Sequence, residues 1–284
     1  MWFGSVQTGR KFAARASALL VCAALLAACG NRADTTNEFI DDTEPADRLY
    51  NEALANLSVN RSGAAIDKFE EVERQHPYSE FGRRAAVLKT FTAYRSGKYE
   101  DAIASGERYV QLYPSSDDAP YALYLVGLSH WRQIPDVTRD QDASRKTLRV
   151  MNDLIDRYPE SEFVADAKTK IVFAKDQIAG QEMYVGRYYQ ERREHLASIN
   201  RFNTVVRELN DTRHVEEALA RLTESYFALG LNDEAQTAAA ILGHNFPDSQ
   251  WYQDSFALLQ SGGLEPRENK GSALSRIFQR RQAA

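Results

Sequence analysis

The chain has 284 residues, 43% hydrophobic and 11% aromatic, which is enough apolar material for a sizeable buried core. Its formal net charge of −5 argues against a nucleic-acid-binding protein, whose domains carry an excess of lysine and arginine.

Residues 1–28 read as a targeting segment and not as part of the fold. Arg10, Lys11 and Arg15 form a positive n-region, and Ala16 to Ala27 is an apolar run of 12 residues. Such a run is too short to cross a hydrocarbon core of about 30 Å as a helix. It closes on Leu26-Ala27-Ala28-Cys29, which resembles the lipobox of bacterial lipoproteins. That resemblance implies diacylglycerol linked to the Cys29 thiol, cleavage before Cys29 and acylation of the new amino terminus. Gly30, in place of an aspartate, implies sorting to the outer membrane. The alternative is an ordinary secretory signal cut after Ala-x-Ala, with Cys29 incidental. In either case Cys22 leaves with the segment, so no disulfide is available. Loss of Arg10, Lys11 and Arg15 takes the formal charge from −5 to −8. The stretch 29–45, with Asp34, Glu38, Asp41, Asp42 and Glu44 among few apolar residues, predicts a flexible tether with a root-mean-square reach of ~20 Å.

From Ala46 onward one turn recurs: His76-Pro77-Tyr78-Ser79, Tyr113-Pro114-Ser115-Ser116, Tyr158-Pro159-Glu160-Ser161 and Phe246-Pro247-Asp248-Ser249. Each proline follows a helical run that it cannot continue, because it has no N–H and restricts the residue before it. Each serine, two residues on, has a hydroxyl suited to cap the next helix. Leu209-Asn210-Asp211-Thr212 is a degenerate fifth copy. The separations are 37 residues from Pro77 to Pro114, 45 to Pro159, 51 to Asn210 and 37 to Pro247. The short ones suit a helical hairpin of ~34 residues.

Small residues stand where the two helices of such a hairpin touch: Ala53 and Ala65, Ala102, Gly186 and Ser198, and Ala235, with Phe69, Tyr189, Phe202 and Tyr226 as bulky partners. In the second unit Gly106 takes the place of a large aromatic. As a set these positions resemble tetratricopeptide repeats. The expected fold is therefore an all-α tetratricopeptide-repeat solenoid of about five hairpins over 46–261, elongated and without one central core.

Two stretches interrupt the series. Gln133 to Asp142, with a proline and several charges, predicts a projecting loop. Glu162 to Gly180 supplies an additional helix, with Phe163, Ala167, Ile171, Ala174 and Ile178 at helical spacing. After Pro247 a helix bearing Trp251, Tyr252, Phe256 and Leu259 caps the array and ends at Gly262-Gly263. Residues 262–284 are expected to be a flexible tail. The alternative is a short helix built on Leu274, Ile277 and Phe278 that folds on a partner or on anionic lipid.

No residue set points to catalysis, a cofactor or a metal. The histidines 76, 130, 195, 214 and 244 are scattered, and no phosphate-binding or dinucleotide glycine pattern occurs. Glu224-Ser225 resembles the Glu-Ser pair of lytic transglycosylases, but it falls inside a repeat helix, where a solvated helix face is the simpler account.

Lipobox, acidic tether and repeats together resemble the BamD (ComL) family, outer-membrane lipoproteins of the β-barrel assembly machinery. The local matches are Glu182-Met183-Tyr184-Val185-Gly186-Arg187-Tyr188-Tyr189-Gln190-Glu191-Arg192, Ile199-Asn200-Arg201, Asp166-Ala167-Lys168 and Phe173-Ala174-Lys175-Asp176. Asn210 in place of proline and the loop at Gln133 to Asp142 depart from the family pattern. The resemblance implies a scaffold, not an enzyme, anchored by lipid to the periplasmic face of the outer membrane. It implies binding to the periplasmic domains of the barrel-forming subunit, association with accessory lipoproteins and reception of unfolded outer-membrane proteins. Arg201 would mark the docking surface for the barrel-forming subunit; a solvated surface arginine is the alternative. Tyr50, Leu54, Arg84, Phe91, Tyr94 and Arg95 would line a groove for an extended peptide ending in an aromatic residue and a carboxylate, with Phe91 and Tyr94 as core residues the alternative. The same architecture also serves Tol–Pal-associated and secretin or pilus assembly lipoproteins, and, in a different class, peptidoglycan-cleaving solenoid enzymes.

Overall fold

Two kinds of joint recur between helices and set most helix ends among the described residues. The structure, a computed structural model, describes residues 44–282; the expected targeting segment, Cys29 and most of the expected tether lie outside the described residues. Within them α1 spans Ala46–Ser58, α2 Ser62–Gln75, α3 Glu80–Arg95, α4 Tyr99–Leu112, α5 Ala119–Trp131 and α6 Asp142–Arg157. Then come α7 at Val164–Glu191, α8 at His195–Glu208, α9 at Val215–Ala228, α10 at Asn232–Asn245, α11 at Gln250–Ser261 and α12 at Ala273–Gln282. No strand occurs among the described residues, and no helix there is long and apolar enough to cross a membrane. The first eleven helices pack each on its sequence neighbours; α1, α3, α5 and α7 also touch in succession, as do α9 and α11. This is the expected tetratricopeptide arrangement: five hairpins, α1/α2 through α9/α10, closed by α11.

In the third hairpin residues 132–141 join α5 to α6; in the other four the inner joint is a three-residue turn with one left-handed residue, Asn60, Gly97, Arg193 or Gly230, at φ between 59° and 77°. The residue after it donates its N–H five positions back: Arg61 to Asn56, Lys98 to Ala93, Glu194 to Tyr189 and Leu231 to Tyr226, each at 2.9 Å. This is the Schellman closure, which satisfies carbonyls that the helix end leaves orphaned.

The joint between hairpins is the aromatic-proline turn. His76, Tyr113, Tyr158 and Phe246 sit at φ −131°, −131°, −133° and −139°, out of the helical region as the following proline demands. Leu209, before Asn210, sits at −130°, so the degenerate copy keeps the geometry without its proline. In all five copies the Ser or Thr N–H bonds the carbonyl of the pre-proline position, at 3.0–3.1 Å.

The serine hydroxyls differ from expectation. Only Ser79 caps a helix directly, accepting the Gly82 N–H at 2.9 Å. Ser116 and Ser161 instead accept the N–H two residues on, from Asp118 and Phe163 at 3.3 Å. An extra turn intervenes there, and α5 and α7 begin at Ala119 and Val164.

Apolar burial follows the hairpins in segments. One cluster joins Leu49, Ala53, Ala65, Phe69 and Val72; a second runs from Val87 to Ala167; a third runs from Ile178 to Phe278. A Cβ on Gly186 would overlap the Phe202 ring, and one on Gly106 would lie 2.5 Å from Val126 and 3.2 Å from the Ala122 carbonyl. Gly106 is therefore where α5 comes closest to α4, and a large aromatic has no space there.

Three expectations need correction. The additional helix is not separate: α7 runs 28 residues without a break, because no proline or turn sequence divides Gly180 from Gln181. The 133–142 stretch is not a free projection. Gln141 is fully buried, its Nε2 donating to the carbonyls of Asp136 (2.9 Å) and Arg139 (3.1 Å), and Val137 lies against Gly180 of α7. Lastly, the tail is not uniformly flexible: residues 273–282 form α12, which buries Leu274 and Phe278 in the third cluster. The apolar pair at i, i+4 gives a short helix something to bind.

Candidate functional site

The first helices α3, α5 and α7 present a strip of aromatic rings that touch in two groups. On α3, Phe91 faces Tyr121 of α5 at 6.5 Å between ring centroids; Tyr121 meets Phe163 at 5.3 Å, and Phe163 stacks on Tyr124 at 4.8 Å. Tyr124 Oη donates to Asp166 Oδ2 at 2.6 Å. Burial first, and then the Asp166 carboxylate, push the Tyr124 hydroxyl well above the usual phenol range, so it stays a donor. Further along, Trp131 meets Phe173 edge-on at 5.8 Å and carries Lys170 over its face at 4.3 Å.

Cations lie on this strip. Arg95 stands over Phe91 at 5.6 Å and also donates to the Leu57 carbonyl at 3.2 Å. Arg132 stands over Trp131 at 5.2 Å and donates to Tyr94 Oη at 3.3 Å. Among the described residues neither guanidinium pairs with a carboxylate. Two arginines are thus held over ring faces with no carboxylate partner among the described residues, the features that an anionic group beside aromatic surface would require.

The expected groove residues divide accordingly. Phe91, Tyr94 and Arg95 belong to the strip. Tyr50 and Leu54 pack instead on the first hairpin's cluster, with Tyr50 6.0 Å from Phe69 and 5.5 Å from Phe81. Arg84 is exposed and tied to Glu80 at 2.6 Å. Leu49 and Ala53 face the hairpin interior. Sequence reasoning missed Tyr121, Tyr124, Trp131, Arg132, Phe163 and Lys170. A signal existed in Tyr121, Tyr124, Leu128 and Trp131 at helical spacing, but α5 is apolar on all sides and masks its own exposed edge.

The second expected surface lies on α8. Ser198, Phe202 and Val205 are buried, whereas Arg201 turns outward, 45% exposed, and reaches Glu182 of α7 at 3.3 Å. Glu224 and Ser225, by contrast, are structural. Gln190 Nε2 donates to Glu224 Oε2 (3.0 Å) and Ser225 Oγ (3.1 Å), Arg221 pairs with Glu224 at 3.0 Å, and Ser198 and Ser225 hydroxyls bond at 3.1 Å. The pair ties α7, α8 and α9 together.

The fold defines an all-α helical-repeat protein of the tetratricopeptide type. Residues 42–242 match the family model YfiO, described as an outer membrane lipoprotein. The chain is 39% identical to the outer membrane protein assembly factor BamD of Caulobacter vibrioides, over 94% of this chain and 89% of that one. It is 34% identical to BamD of Rickettsia prowazekii over 86% and 96% of the two chains, and 31% identical to BamD of Neisseria meningitidis serogroup A over 72% and 80%. The chain belongs to the BamD (YfiO) family of outer-membrane protein assembly factors.

Proposed function

We propose that this chain is the lipid-anchored scaffold of an outer-membrane β-barrel assembly complex. In this reading it receives unfolded barrel proteins on the α3/α5/α7 strip and holds the barrel-forming subunit through the Arg201 surface. The observation that carries it is the run of contacting rings beside Arg95 and Arg132, two cations without carboxylate partners among the described residues. An extended segment ending in an aromatic side chain and a carboxylate satisfies both features at once. Accessory lipoproteins and the barrel-forming subunit's periplasmic domains are the expected partners, and Cys29 the lipid attachment at the periplasmic face. Cys29→Ser is expected to leave a soluble or unprocessed chain on fractionation. If that variant is processed and stays in the membrane, the anchor is elsewhere.

The peptide site is tested by anisotropy with a labelled peptide ending in phenylalanine and a free carboxylate. Arg132→Glu and Arg95→Glu are each expected to weaken binding by about tenfold or more, corresponding to loss of ~1.4 kcal/mol. Lys68→Glu, on the outer side of the first hairpin, leaves it unchanged. Equal losses in all three variants would show a nonspecific charge effect and sink the assignment.

A further inference from the structure

Helix α12 has no place in the hairpin series. It packs across α8 and α10, the second helices of the last two hairpins. Leu274 and Phe278, one turn apart, enter the cluster that fills those hairpins and are at most 7% exposed. The chain leaves α11 through Gly262 and the left-handed Gly263, at φ 72°, with Leu264 closing the turn onto Leu259 at 3.0 Å. The connector beyond is held at few points. Gln236 Nε2 donates to the Glu265 carbonyl at 2.6 Å, the Arg267 N–H to the Gln236 carbonyl at 3.3 Å, and the Asn269 N–H to Thr237 Oγ1 at 3.2 Å. The Arg267–Asp233 ion pair, at 3.3 Å, is exposed on both sides and contributes little.

A helix of ten residues does not hold its shape alone in water. Ser272 caps it, accepting the Ser275 N–H at 3.0 Å, but the α8/α10 face supplies the apolar contact that makes it fold. This is helix-in-groove recognition with the ligand supplied by the same chain. The occupant also states the chemistry the groove accepts, two large apolar side chains at i, i+4, and the sequence of 273–282 carries three arginines and no carboxylate in a chain of formal charge −5. Arg201 takes no part in it, since its guanidinium turns to Glu182 on α7.

We propose that the α8/α10 face is a docking groove for a basic amphipathic helix of a partner protein, and that α12 fills the groove until such a helix displaces it. The Gly262-Gly263 hinge and the sparse connector bonds let the tail leave without disturbing the hairpins.

The test uses the complete chain and a labelled synthetic peptide of residues 265–284 as the probe. Leu274→Ser/Phe278→Ser empties the groove, and the peptide is expected to bind that variant at least about tenfold tighter than the parent, whose own tail competes. A peptide carrying the same two serines binds neither. Hydrogen exchange on the parent reads displacement without any substitution. Amides of 273–282 are expected to exchange about a hundredfold faster than those of α10, and faster again with added unlabelled peptide. The proposal is overturned if α12 exchanges in step with α10, or if the peptide ignores a variant whose melting curve shows the array folded. Two further outcomes also overturn it: binding of the peptide to anionic-lipid vesicles alone, which would make α12 a membrane contact, and tail-swapped dimers, which would make the groove's occupant a second copy of this chain.

Discussion

At Gly186 the α7/α8 contact leaves no space for even one methyl group. The Phe202 ring lies where a Cβ would be, and Phe202 is itself fully buried, so neither side has room to move. Gly186→Ala is therefore expected to cost about 1–3 kcal/mol by overpacking. Gly63→Ala provides the contrast, because nothing lies within 4 Å of the new methyl and the site is an exposed helical turn. Removing a glycine there should stabilise by about 0.4–1 kcal/mol through the unfolded chain. Melting curves of the two variants should move in opposite directions; movement in the same direction would mean that the α7/α8 contact is looser than the geometry says. Gly186 was legible in the sequence as a small residue opposite Phe202. Gly106 was legible only as an anomaly, since its reason lies in α5, an element that sequence spacing does not place against it.

Among the elements, the inter-hairpin joints do more than end helices. Tyr113 Oη donates to the Pro77 carbonyl at 3.3 Å, and Tyr158 Oη donates to the Pro114 carbonyl at 2.8 Å. Each tyrosine before a proline thus bonds the proline carbonyl of the preceding joint, and the joints of the first three hairpins are linked in series. Tyr158→Phe should lower stability by about 0.5–1.5 kcal/mol, and Tyr113→Phe, with its longer bond, by less. Urea unfolding followed by tryptophan fluorescence checks the order; a larger loss at Tyr113 contradicts it. These joints were readable because proline and a preceding aromatic leave a local signature. The unbroken α7, the packed 133–141 segment and α12 were not. Their conformations depend on what lies opposite them: Val137 against Gly180, and Leu274 and Phe278 in a cluster built from residues up to a hundred positions away.

For the whole molecule, the expected fold is the fold observed, while the candidate site changed its centre of gravity. The proposed peptide face lies towards the second and third hairpins and the start of α7, not on the first two hairpins, because Tyr50 and Leu54 are drawn into local packing while Tyr121, Trp131 and Arg132 are not fully enclosed. Arg201 is exposed on α8, and its docking role is a proposal. Its bond to Glu182 is half-exposed and worth at most about 1 kcal/mol to folding. Loss of a buried charge-assisted pair at an interface costs about 2–5 kcal/mol. Arg201→Ala and Arg201→Glu should therefore melt close to the parent, while Arg201→Glu binds the barrel-forming subunit's periplasmic domains at least about thirtyfold more weakly. Parental affinity in both variants would place the docking surface elsewhere.

Helix α7 carries Phe163 at its capping position, Asp166 and Lys170 in its first turns, and Glu182, the partner of Arg201, near its other end. At 1.5 Å per residue the sixteen steps from Asp166 to Glu182 span about 24 Å of uninterrupted backbone. A rod of this kind has no joint at which to absorb a tilt, so a ligand that levers one end moves the other. On the proposed function, peptide capture and subunit docking would be the two arms of a seesaw, and whatever factor one exerted on the other's affinity would be returned in equal measure.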